Sequence, residues 1–494
     1  MNNVTDIGTR REVCWDEALI ERADGVSVKM HRPEPRGLAL VCDKPWEGNV
    51  SGYFQVMDDC GLIRLYYRGC GLRTTLDGEP EDPLGERCDL MGKNCYAESA
   101  DGKTFVRPDL GIVNYKGSAH NNIFLPETMD NFCVFRDGNP ACPPEERYKG
   151  LAGIDQTLRC YVSADGVHFA SRGALLSDGA YDSMNLAFWD KTREQYFVYY
   201  RGIHRAGETD SDGKWHDGDV SGQIVRDVRV RTSKDFRTWS APRRIAFAEG
   251  QDDYQLYTSQ IQPYYRAPHV FLGMPTRYTE RLEDKANFKY LPDRKNRLSI
   301  AKNWGRSGYA MTDCILITSR DGYNFRRTDE AFLTPGPERD CNWYYGDCYP
   351  TLGLLETAGE LPGAPRELSL FVHTDYRVNP VRLMRWAVRI DGFFSWSCGY
   401  KAGSVLTKPF VFGGAGLEIN FATSCLGYVR IRMCGEDGAP IPGYDSGRLF
   451  GDSLDRPVDF EKSLAELAGK PVRMLADMSD AELYSFKFDE APLL

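Results

Sequence analysis

The 494-residue sequence lacks any apolar run approaching the roughly 18 residues that a membrane-spanning helix needs. Its amino terminus also lacks the shorter apolar stretch of a secretory signal peptide. Lysine and arginine do not cluster, and the formal net charge is −10, whereas nucleic-acid binding depends on grouped basic residues. We therefore expect a cytoplasmic protein that binds neither membranes nor nucleic acid.

Metal and cofactor motifs are also missing. The seven histidines show no ligand spacing, and the fifteen cysteines contain no C-x-x-C pair. The odd cysteine count favours reduced, buried thiols over a disulfide framework. A G-x-S-x-G elbow, an H-E-x-x-H helix, a P-loop and a G-x-G-x-x-G turn are absent as well. The sequence therefore predicts no metal and no cofactor.

A short turn motif does recur. Ser-x-Asp-Gly-x-x-Phe stands at 99–105, 163–169 and 319–325, with weaker copies at 233–239 and 391–396. The five copies carry Asp101, Asp165, Asp235, Asp321 and Asp391. Asp accepts backbone N–H bonds, Gly adopts a positive φ and the aromatic ring packs back, so each copy predicts a tight hairpin turn.

Strand-like runs precede each turn. In repeats one and three the second run ends on the same tripeptide, Tyr-Tyr-Arg, at 66–68 and 199–201. Three visible strands and an outer fourth, repeated five times, predict an all-β, five-bladed β-propeller. Aromatic residues reach 12%, which suits both β-structure and sugar-stacking sites.

The pattern of apolar and polar residues changes after about residue 403. Runs at 417–423, 427–433, 471–475 and 483–488 alternate between apolar and polar residues with polar turns between them. This pattern predicts an antiparallel β-sandwich. We therefore divide the chain into a propeller, 1–402, which includes a leading segment at 1–45, and a sandwich, 403–494.

A propeller followed by a sandwich resembles the invertase, levanase and fructanase enzymes. The blades also resemble the arabinanase and β-xylosidase group and the mannosyl-glycan phosphorylases. This resemblance implies an enzyme that acts on sugars. The Trp-Met-Asn-Asp-Pro-Asn-Gly-like, Arg-Asp-Pro and Glu-Cys signatures of the invertase type are absent, so catalytic residues have to be assigned by position.

Acids just upstream of the inner strands are the catalytic candidates, because ligands bind at one mouth of a propeller and glycoside cleavage generally needs two carboxyl groups. Such acids are Asp43, Glu47, Asp130, Asp182, Asp252, Asp253, Glu338 and Asp347. We predict that Glu47, Asp182 and Asp347 are the central carboxylates and that Glu338 is a candidate proton donor. The alternative for each is an acid that bonds the backbone amides of a turn.

Substrate binding is predicted for a second set of residues near the same mouth. The set consists of Asp43, Trp46, Arg68, Arg201, His204, Arg277 and Trp343. Arginines hold hydroxyl or carboxylate groups, and tryptophan rings stack on sugar faces. The alternative is that the arginines bond across blades and that the aromatic rings pack the channel wall.

We therefore hypothesise a glycoside hydrolase that uses one carboxyl group as an acid and a second as base or nucleophile, with a carbohydrate as its partner. A glycoside phosphorylase, which would use the arginines for phosphate, is the alternative within enzymes. A carbohydrate-binding propeller without catalysis is the alternative outside them. A homo-oligomer is also compatible with the sequence. Fold alone does not decide among these functions.

Overall fold

The computed structural model describes residues 4–71, 92–127, 129, 131–154, 156–208, 211–214, 224–304, 308–377 and 380–489. Strands dominate these ranges. The helical elements there are α1 (Arg294–Trp304) and the 3-10 helices Pro144–Glu146, Lys285–Lys289 and Leu464–Glu466. Within the same ranges, no helix has the length and apolar character to cross a bilayer.

Five strands precede the first predicted repeat. They are β1 (Thr5–Gly8), β2 (Arg11–Val13), β3 (Ile20–Asp24), β4 (Val26–Met30) and β5 (Glu34–Val41). β5 is the longest of the five and carries the apolar run Leu38–Val41 at its end. The other four are short, which indicates that they need partners from elsewhere in the chain.

Small antiparallel sheets follow along the chain, and their strands pair mostly with their sequence neighbours. Sheet 1 contains β6 (Gly52–Asp59), β7 (Leu62–Gly69) and β8 (Lys93–Ser99). Sheet 2 contains β9 (Cys133–Arg136), β10 (Tyr148–Ile154), β11 (Thr157–Ser163) and β12 (Ala170–Leu176). Sheet 3 contains β13 (Leu186–Asp190), β14 (Gln195–Arg205), β15 (Ile224–Ser233) and β16 (Arg243–Arg244).

The next two sheets depart from this simple order. Sheet 4 contains β18 (Gln262–Tyr264), β19 (Ala267–Gly273), β22 (Ile317–Ser319) and β23 (Arg326–Arg327). Beside it lies a side sheet of β17 (Gln255–Leu256), β20 (Thr276–Glu280) and β21 (Ala310–Cys314). Sheet 5 contains β24 (Leu355–Thr357), β25 (Glu367–Thr374) and β26 (Arg382–Val388).

Hydrogen bonds at the starts of the inner strands join these sheets into a closed ring. In order, the donors and acceptors are Val134 N to Gln55 Oε1 (2.7 Å), Asn131 Nδ2 to Tyr181 O (3.1 Å), Ser183 Oγ to Tyr257 O (2.7 Å), Gln260 Nε2 to Pro350 O (2.7 Å) and Val56 N to Leu352 O (2.8 Å). The last bond connects sheet 5 back to sheet 1. Sheets arranged radially in this way form a β-propeller, so the predicted all-β propeller fold is confirmed.

The amino-terminal strand β5 completes sheet 5. It pairs antiparallel with β26, from Val41 opposite Arg382 to Glu34 opposite Ala387. Sheet 5 would otherwise end at β26 and leave a row of backbone groups without partners. The strand therefore ties the beginning of the chain to the last sheet of the ring.

The recurring turn motif is built as the sequence predicts in four of its copies. In the copy at 163–169, Ser163 Oγ donates to Asp165 Oδ1 (2.9 Å) and accepts from the Gly166 amide (2.9 Å). Asp165 Oδ1 also accepts the amides of residues 167 and 168, both at 2.9 Å. The same set of bonds occurs at Ser99, Ser233 and Ser319.

Two of these turns also receive a bond from the preceding sheet. Tyr66 of sheet 1 donates its hydroxyl to Gly166 O in sheet 2 (2.9 Å), and Tyr199 of sheet 3 donates to Gly322 O in sheet 4 (2.7 Å). These tyrosines are the first residues of the two Tyr-Tyr-Arg tripeptides. The repeated tripeptide therefore holds neighbouring sheets together.

The prediction of a fifth hairpin turn of this type is wrong. Arg389 stands where the other copies have Ser, so no hydroxyl closes the turn. The Asp391 carboxylate is instead fully buried and accepts the Tyr264 hydroxyl (2.6 Å) and the Ser485 hydroxyl (2.7 Å). This carboxylate joins the propeller to the carboxy-terminal sheet, because the chain crosses into that sheet here.

The carboxy-terminal sheet is built on two long strands. It contains β27 (Phe394–Cys398), β28 (Gly403–Thr407), β30 (Gly416–Cys434), β31 (Pro440–Asp445), β32 (Asp452–Pro457) and β33 (Arg473–Asp489), with β29 (Phe410–Phe412) beside it. β30 and β33 pair along most of their length, with register shifts near residues 420 and 423. Alternating residues of these strands enclose one apolar core.

The observed pairing divides the chain differently from the predicted boundary at 402 and 403. The strands β2, β3 and β4 pair with β33, β28 and β27, and β1 pairs with β29. Residues 5–30 and 394–398 therefore belong with the carboxy-terminal strands. Strand pairing over several hundred residues leaves no local signal, which is why the sequence places these segments with the propeller.

We predict that Ser163→Ala lowers the free energy of unfolding by about 1–3 kcal/mol, because the buried Gly166 amide and the part-buried Asp165 amide lose their acceptor. Urea denaturation of the full chain measures this effect. Ala164→Ser is the matched control, since residue 164 is exposed in the same turn and gains the oxygen that residue 163 loses. Equal stabilities of the two variants would contradict the proposed contribution of the Ser hydroxyl.

Candidate active site

Five tyrosines gather at one end of the ring, next to the starts of inner strands. We call this set, Tyr257, Tyr278, Tyr345, Tyr349 and Tyr376, the tyrosine cluster. Tyr345 lies at its centre, with ring-centroid distances of 5.7 Å to Tyr257, 5.8 Å to Tyr278, 6.5 Å to Tyr349 and 6.3 Å to Tyr376. Tyrosine rings that keep a polar tip can pack on the apolar face of a ligand and bond its hydroxyls.

An ion pair lies against this cluster. Arg201 Nη1 lies 2.8 Å from Asp182 Oδ1, and the guanidinium carbon lies 4.7 Å from the Tyr257 ring centroid. The Arg201 side chain is 5% exposed, whereas that of Asp182 is 56% exposed. The buried guanidinium therefore holds the Asp182 carboxyl group open to solvent beside the tyrosines.

Several buried polar atoms around the cluster have no hydrogen-bond partner among the described residues. They are Arg201 Nε, Asn185 Oδ1, Gln260 Oε1, Tyr349 OH and Thr351 Oγ1. Asn185 stands directly before the inner strand of sheet 3, and Gln260, Tyr349 and Thr351 stand two to six residues before the inner strands of sheets 4 and 5. Buried polar atoms in proteins are normally satisfied by protein, water or ligand. This set of buried polar atoms therefore suits a ligand with several hydroxyl groups.

Further guanidinium groups stack on tyrosines of the same region. Arg68 lies 4.9 Å from the Tyr53 ring centroid, Arg226 lies 4.9 Å from that of Tyr257, and Arg377 lies 5.2 Å from that of Tyr345. Arg68 Nη2 also donates to the Tyr376 hydroxyl (3.3 Å) and to the Val50 carbonyl (2.7 Å). Cation–π contacts of this kind fix the arginines and the rings together.

Asp347 lies on the turn that carries Tyr345. Its Oδ2 accepts the Tyr344 amide at 2.9 Å, and the residue is 4% exposed. Burial raises the pKa of the Asp347 carboxyl to about 7, although the amides of Trp343 and Tyr344 oppose the shift. A carboxyl group with this pKa can release a proton near neutral pH.

His373 supports the same turn from sheet 5. Its Nε2 lies 2.7 Å from Gly346 O, which only accepts, so Nε2 carries the proton in this bond. Burial lowers the pKa of His373 to about 4, so the imidazole is neutral near pH 7. The ring stacks on Tyr349 at 5.5 Å and thereby fixes one side of the tyrosine cluster.

The predicted catalytic residue Glu47 lies in a separate buried cluster. It accepts the Tyr67 hydroxyl (2.5 Å), Arg107 Nε and Nη2 (both 2.8 Å) and the Lys44 amide (3.1 Å), and its side chain is 0% exposed. Four donors occupy its two oxygens. A carboxylate bonded in this way shapes a loop and has little capacity left for a substrate.

The neighbouring predictions Asp43 and Trp46 belong to the same loop as Glu47. Asp43 is exposed and lies 3.6 Å from Arg107 Nη2, and Trp46 Nε1 donates to Asn122 Oδ1 at 2.7 Å. Neither has a recorded contact with the tyrosine cluster. Asp130, the corresponding acid of the second repeat, lies outside the described residues.

Two further predicted binding residues are engaged in ion pairs. His204 Nδ1 lies 2.8 Å from Asp227 Oδ2, and its Nε2 lies 2.6 Å from Asp253 Oδ2. Arg277 makes a bidentate pair with Asp313 at 2.9 and 2.6 Å. Both ring nitrogens of His204 and both donor edges of the Arg277 guanidinium therefore have protein partners. Asp227 and Asp313 stand on the neighbouring strand of the same sheet, so these two bonds do not cross between blades.

Trp343 and Glu338 precede Asp347 on its loop. The Trp343 indole donates to Gly336 O at 3.0 Å, so its ring is held within the loop. Glu338 is exposed. Of the predicted site residues, the structure thus brings Asp182, Arg201 and Arg68 to the tyrosine cluster, and it places Asp347 and Trp343 on the turn behind Tyr345.

Sequence reasoning missed His373, Tyr278, Tyr349 and Tyr376. His373 is the second-last residue of β25, as Arg68 is of β7, so the place in the repeat was the available signal. Tyr349 precedes an inner strand, where a rule restricted to acids does not select it. A rule that includes every polar side chain at these two places selects both residues.

Comparison with protein-family models and with curated proteins gives no match for this chain. Several solved structures are similar. One is an N-acetylgalactosamine deacetylase from F. plautii, with 14% identity, coverage of 78% of this chain and 96% of that chain, and a TM-score of 0.40. Another is a thermostable family-43 glycoside hydrolase, with 11% identity, 70% and 93% coverage, and a TM-score of 0.40.

A third is a β-1,2-mannobiose phosphorylase from Listeria innocua, with 12% identity, 74% and 98% coverage, and a TM-score of 0.39. Glycoside hydrolases and a glycoside phosphorylase are thus among the solved structures that this chain resembles, in agreement with the resemblance stated from the sequence. At these identities and TM-scores, the likeness assigns no activity to the chain.

We predict that His204 stabilises the fold mainly at mildly acidic pH. Although burial opposes it, the bonds to Asp227 and Asp253 raise the pKa of His204 above its ordinary value of 6.5. The stabilisation is therefore fully present below pH 6.5 and is lost as the pH rises through the folded-state pKa. The pKa values of both aspartates are lowered from 3.8 despite burial, so their contribution is lost only at lower pH.

Unfolding of His204→Gln at pH 5.5 and pH 9 tests this prediction, with a larger loss of stability relative to the unsubstituted protein at pH 5.5. His120→Gln is the control, because the His120 side chain is 88% exposed and its pair with Asp109 lies on the surface. A loss that does not depend on pH would show that His204 acts only through packing.

Proposed function

We propose that this protein is a glycoside hydrolase whose substrate binds at the tyrosine cluster, with Asp182 as a reacting carboxylate. The observation that carries the proposal is the exposed Asp182 carboxyl group on the buried Arg201, beside five tyrosines and buried polar atoms that have no hydrogen-bond partner in the described part of the chain. Sugar rings present apolar faces to aromatic rings and hydroxyls that both donate and accept. The mixed character of this site supports such a ligand.

The two carboxyl groups in this proposal differ in environment. Asp182 is 56% exposed and is held in place by Arg201 at 2.8 Å, and this open position suits a base or nucleophile. Burial raises the pKa of Asp347 to about 7, which suits the group that protonates the leaving oxygen. Glu338, exposed on the same loop, is the second candidate for the proton donor. Glycoside cleavage divides these two roles between two carboxyl groups.

Phosphorolysis is the second candidate function. Arg68, Arg201 and Arg377 all reach the tyrosine cluster, and guanidinium groups bind phosphate oxygens well. Phosphate would replace the second carboxylate as the nucleophile, so one acid would suffice. Among the described residues next to the tyrosine cluster, arginines outnumber acids. This excess of arginines supports phosphorolysis.

We predict that Asp182→Asn lowers kcat/KM on aryl-glycosides or oligosaccharides by roughly 10²–10⁴-fold, because a group used in proton transfer or attack is lost. Asp329→Asn is the matched control. Asp329 is 61% exposed and pairs with the buried Arg327 at 3.2 Å, which reproduces the setting of Asp182 away from the cluster. Equal activity of both variants would remove Asp182 from the mechanism.

The same assay separates the candidate functions. Release of free sugar without inorganic phosphate supports hydrolysis, whereas a phosphate requirement with release of a sugar phosphate supports phosphorolysis. Glycan binding without turnover across a broad panel would support the non-catalytic propeller instead. Absence of both binding and turnover would contradict the proposal that the tyrosine cluster is a sugar site.

A further inference from the structure

The loop that carries Tyr345 and Asp347 is covered by an insertion in the side sheet. Residues 281–309 leave the sheet after β20 and return at β21, and they include α1 and the 3-10 helix Lys285–Lys289. One side chain of α1, that of Arg297, is 2% exposed. A guanidinium group buried to this extent needs strong compensating contacts.

The contacts that Arg297 makes are with the two residues that precede Tyr345, and its Nε and Nη2 have no hydrogen-bond partner among the described residues. Arg297 Nη1 donates to Trp343 O at 2.7 Å, and its guanidinium carbon lies 4.2 Å from the Tyr344 ring centroid. The Tyr344 hydroxyl in turn reaches Asp293, with 3.1 Å to Oδ2. Two residues at the start of the insertion helix therefore hold both Trp343 and Tyr344.

The loop segment that these contacts hold has a strained backbone. Cys341, Trp343 and Cys348 have φ angles of 77°, 62° and 56°, in the left-handed region that residues with a side chain avoid. A residue with a side chain is strained in this region and persists there only where the surroundings determine it. Contacts from outside the loop are therefore needed to keep it in this shape.

We propose that Arg297 is a positioning residue that fixes the turn at residues 343–347 and thereby places Tyr345 and Asp347 for the reaction. This inference rests on the proposed function for its catalytic consequence. Its structural part does not, because the bond to Trp343 and the stack on Tyr344 exist whatever the substrate is. The insertion is then part of the active-site wall.

Arg297 also acts on the charge of Asp347. Arg297 and Arg339 both stabilise the Asp347 carboxylate, while the adjoining Cys348 thiol and the amides of Trp343 and Tyr344 complete its surroundings. Removal of the Arg297 cation raises the pKa of Asp347 further. If Asp347 is the acid, the alkaline limb of the kcat/KM profile then moves to higher pH, since the acid stays protonated longer.

Hydrogen exchange of the intact protein tests the structural part without any substrate. In Arg297→Met, we expect the amides of peptides that cover residues 338–349 to exchange roughly 10-fold or more faster, as local opening becomes easier. Peptides of the carboxy-terminal sheet report whether the fold is intact. Leu298→Ala is the matched control, because Leu298 is the next residue of α1 and is 49% exposed.

Unchanged exchange at 338–349 in a folded Arg297→Met protein would overturn the inference. Arg297→Lys serves if the Met variant does not fold, because lysine keeps the charge and loses the planar stack. We expect faster exchange in Arg297→Lys with the alkaline limb where it was, and exchange identical to the unsubstituted protein would again overturn the inference.

The activity readout separates this inference from the proposed function. Positioning for catalysis is supported if Arg297→Met shows three results together. These are faster exchange, a fall in kcat at similar KM, and a shifted alkaline limb. Faster exchange with unchanged kcat and pH profile would overturn the catalytic consequence. If Asp182→Asn leaves kcat/KM unchanged, the proposed function is disproved instead. The exchange result at residues 338–349 is still valid in that case.

Discussion

The pairing of β5 with β26 is the contact on which the rest of the propeller depends. Sheets 1 to 4 are each built from strands close together in the chain, but sheet 5 takes its fourth strand from residues 34–41. Without that strand, sheet 5 would have an open edge, and sheets 5 and 1 would lose the backbone pairing that completes the outer side of sheet 5. The candidate site needs this closure, because its residues come from sheets 1, 3, 4 and 5 and meet only in a ring of fixed size.

Local chemistry made much of this fold predictable. The Ser-x-Asp-Gly turns form through bonds within a few residues, so four copies could be located without knowledge of the rest of the chain. The fifth copy lacked its Ser, and its aspartate serves contacts with Tyr264 and Ser485 that are far away in sequence. The partners of β5 and of residues 5–30 were equally remote, and no local pattern encodes them.

The candidate site was predictable only in part, because charge alone does not show burial. Glu47 and Asp182 both stand before an inner strand, yet Arg107 and Tyr67 bond the first in a buried cluster, whereas the second pairs with Arg201 and stays about half exposed. Asp347 was found by the same rule and lies inside its own turn. Tyr349 and His373 carry no charge at neutral pH, so a rule that selects acids does not select them. Long-range packing decides which carboxyl groups stay available for chemistry.

The path of the amino-terminal segment has a consequence for synthesis on the ribosome. Residues 5–30 pair with strands between 394 and 489, and residues 34–41 pair with 382–387. Residues 5–41 therefore emerge several hundred residues before their partners and find their place late. Sheets 1 to 4 can form while translation continues, but neither the ring nor the carboxy-terminal sheet can be completed until residues 382–489 have been made.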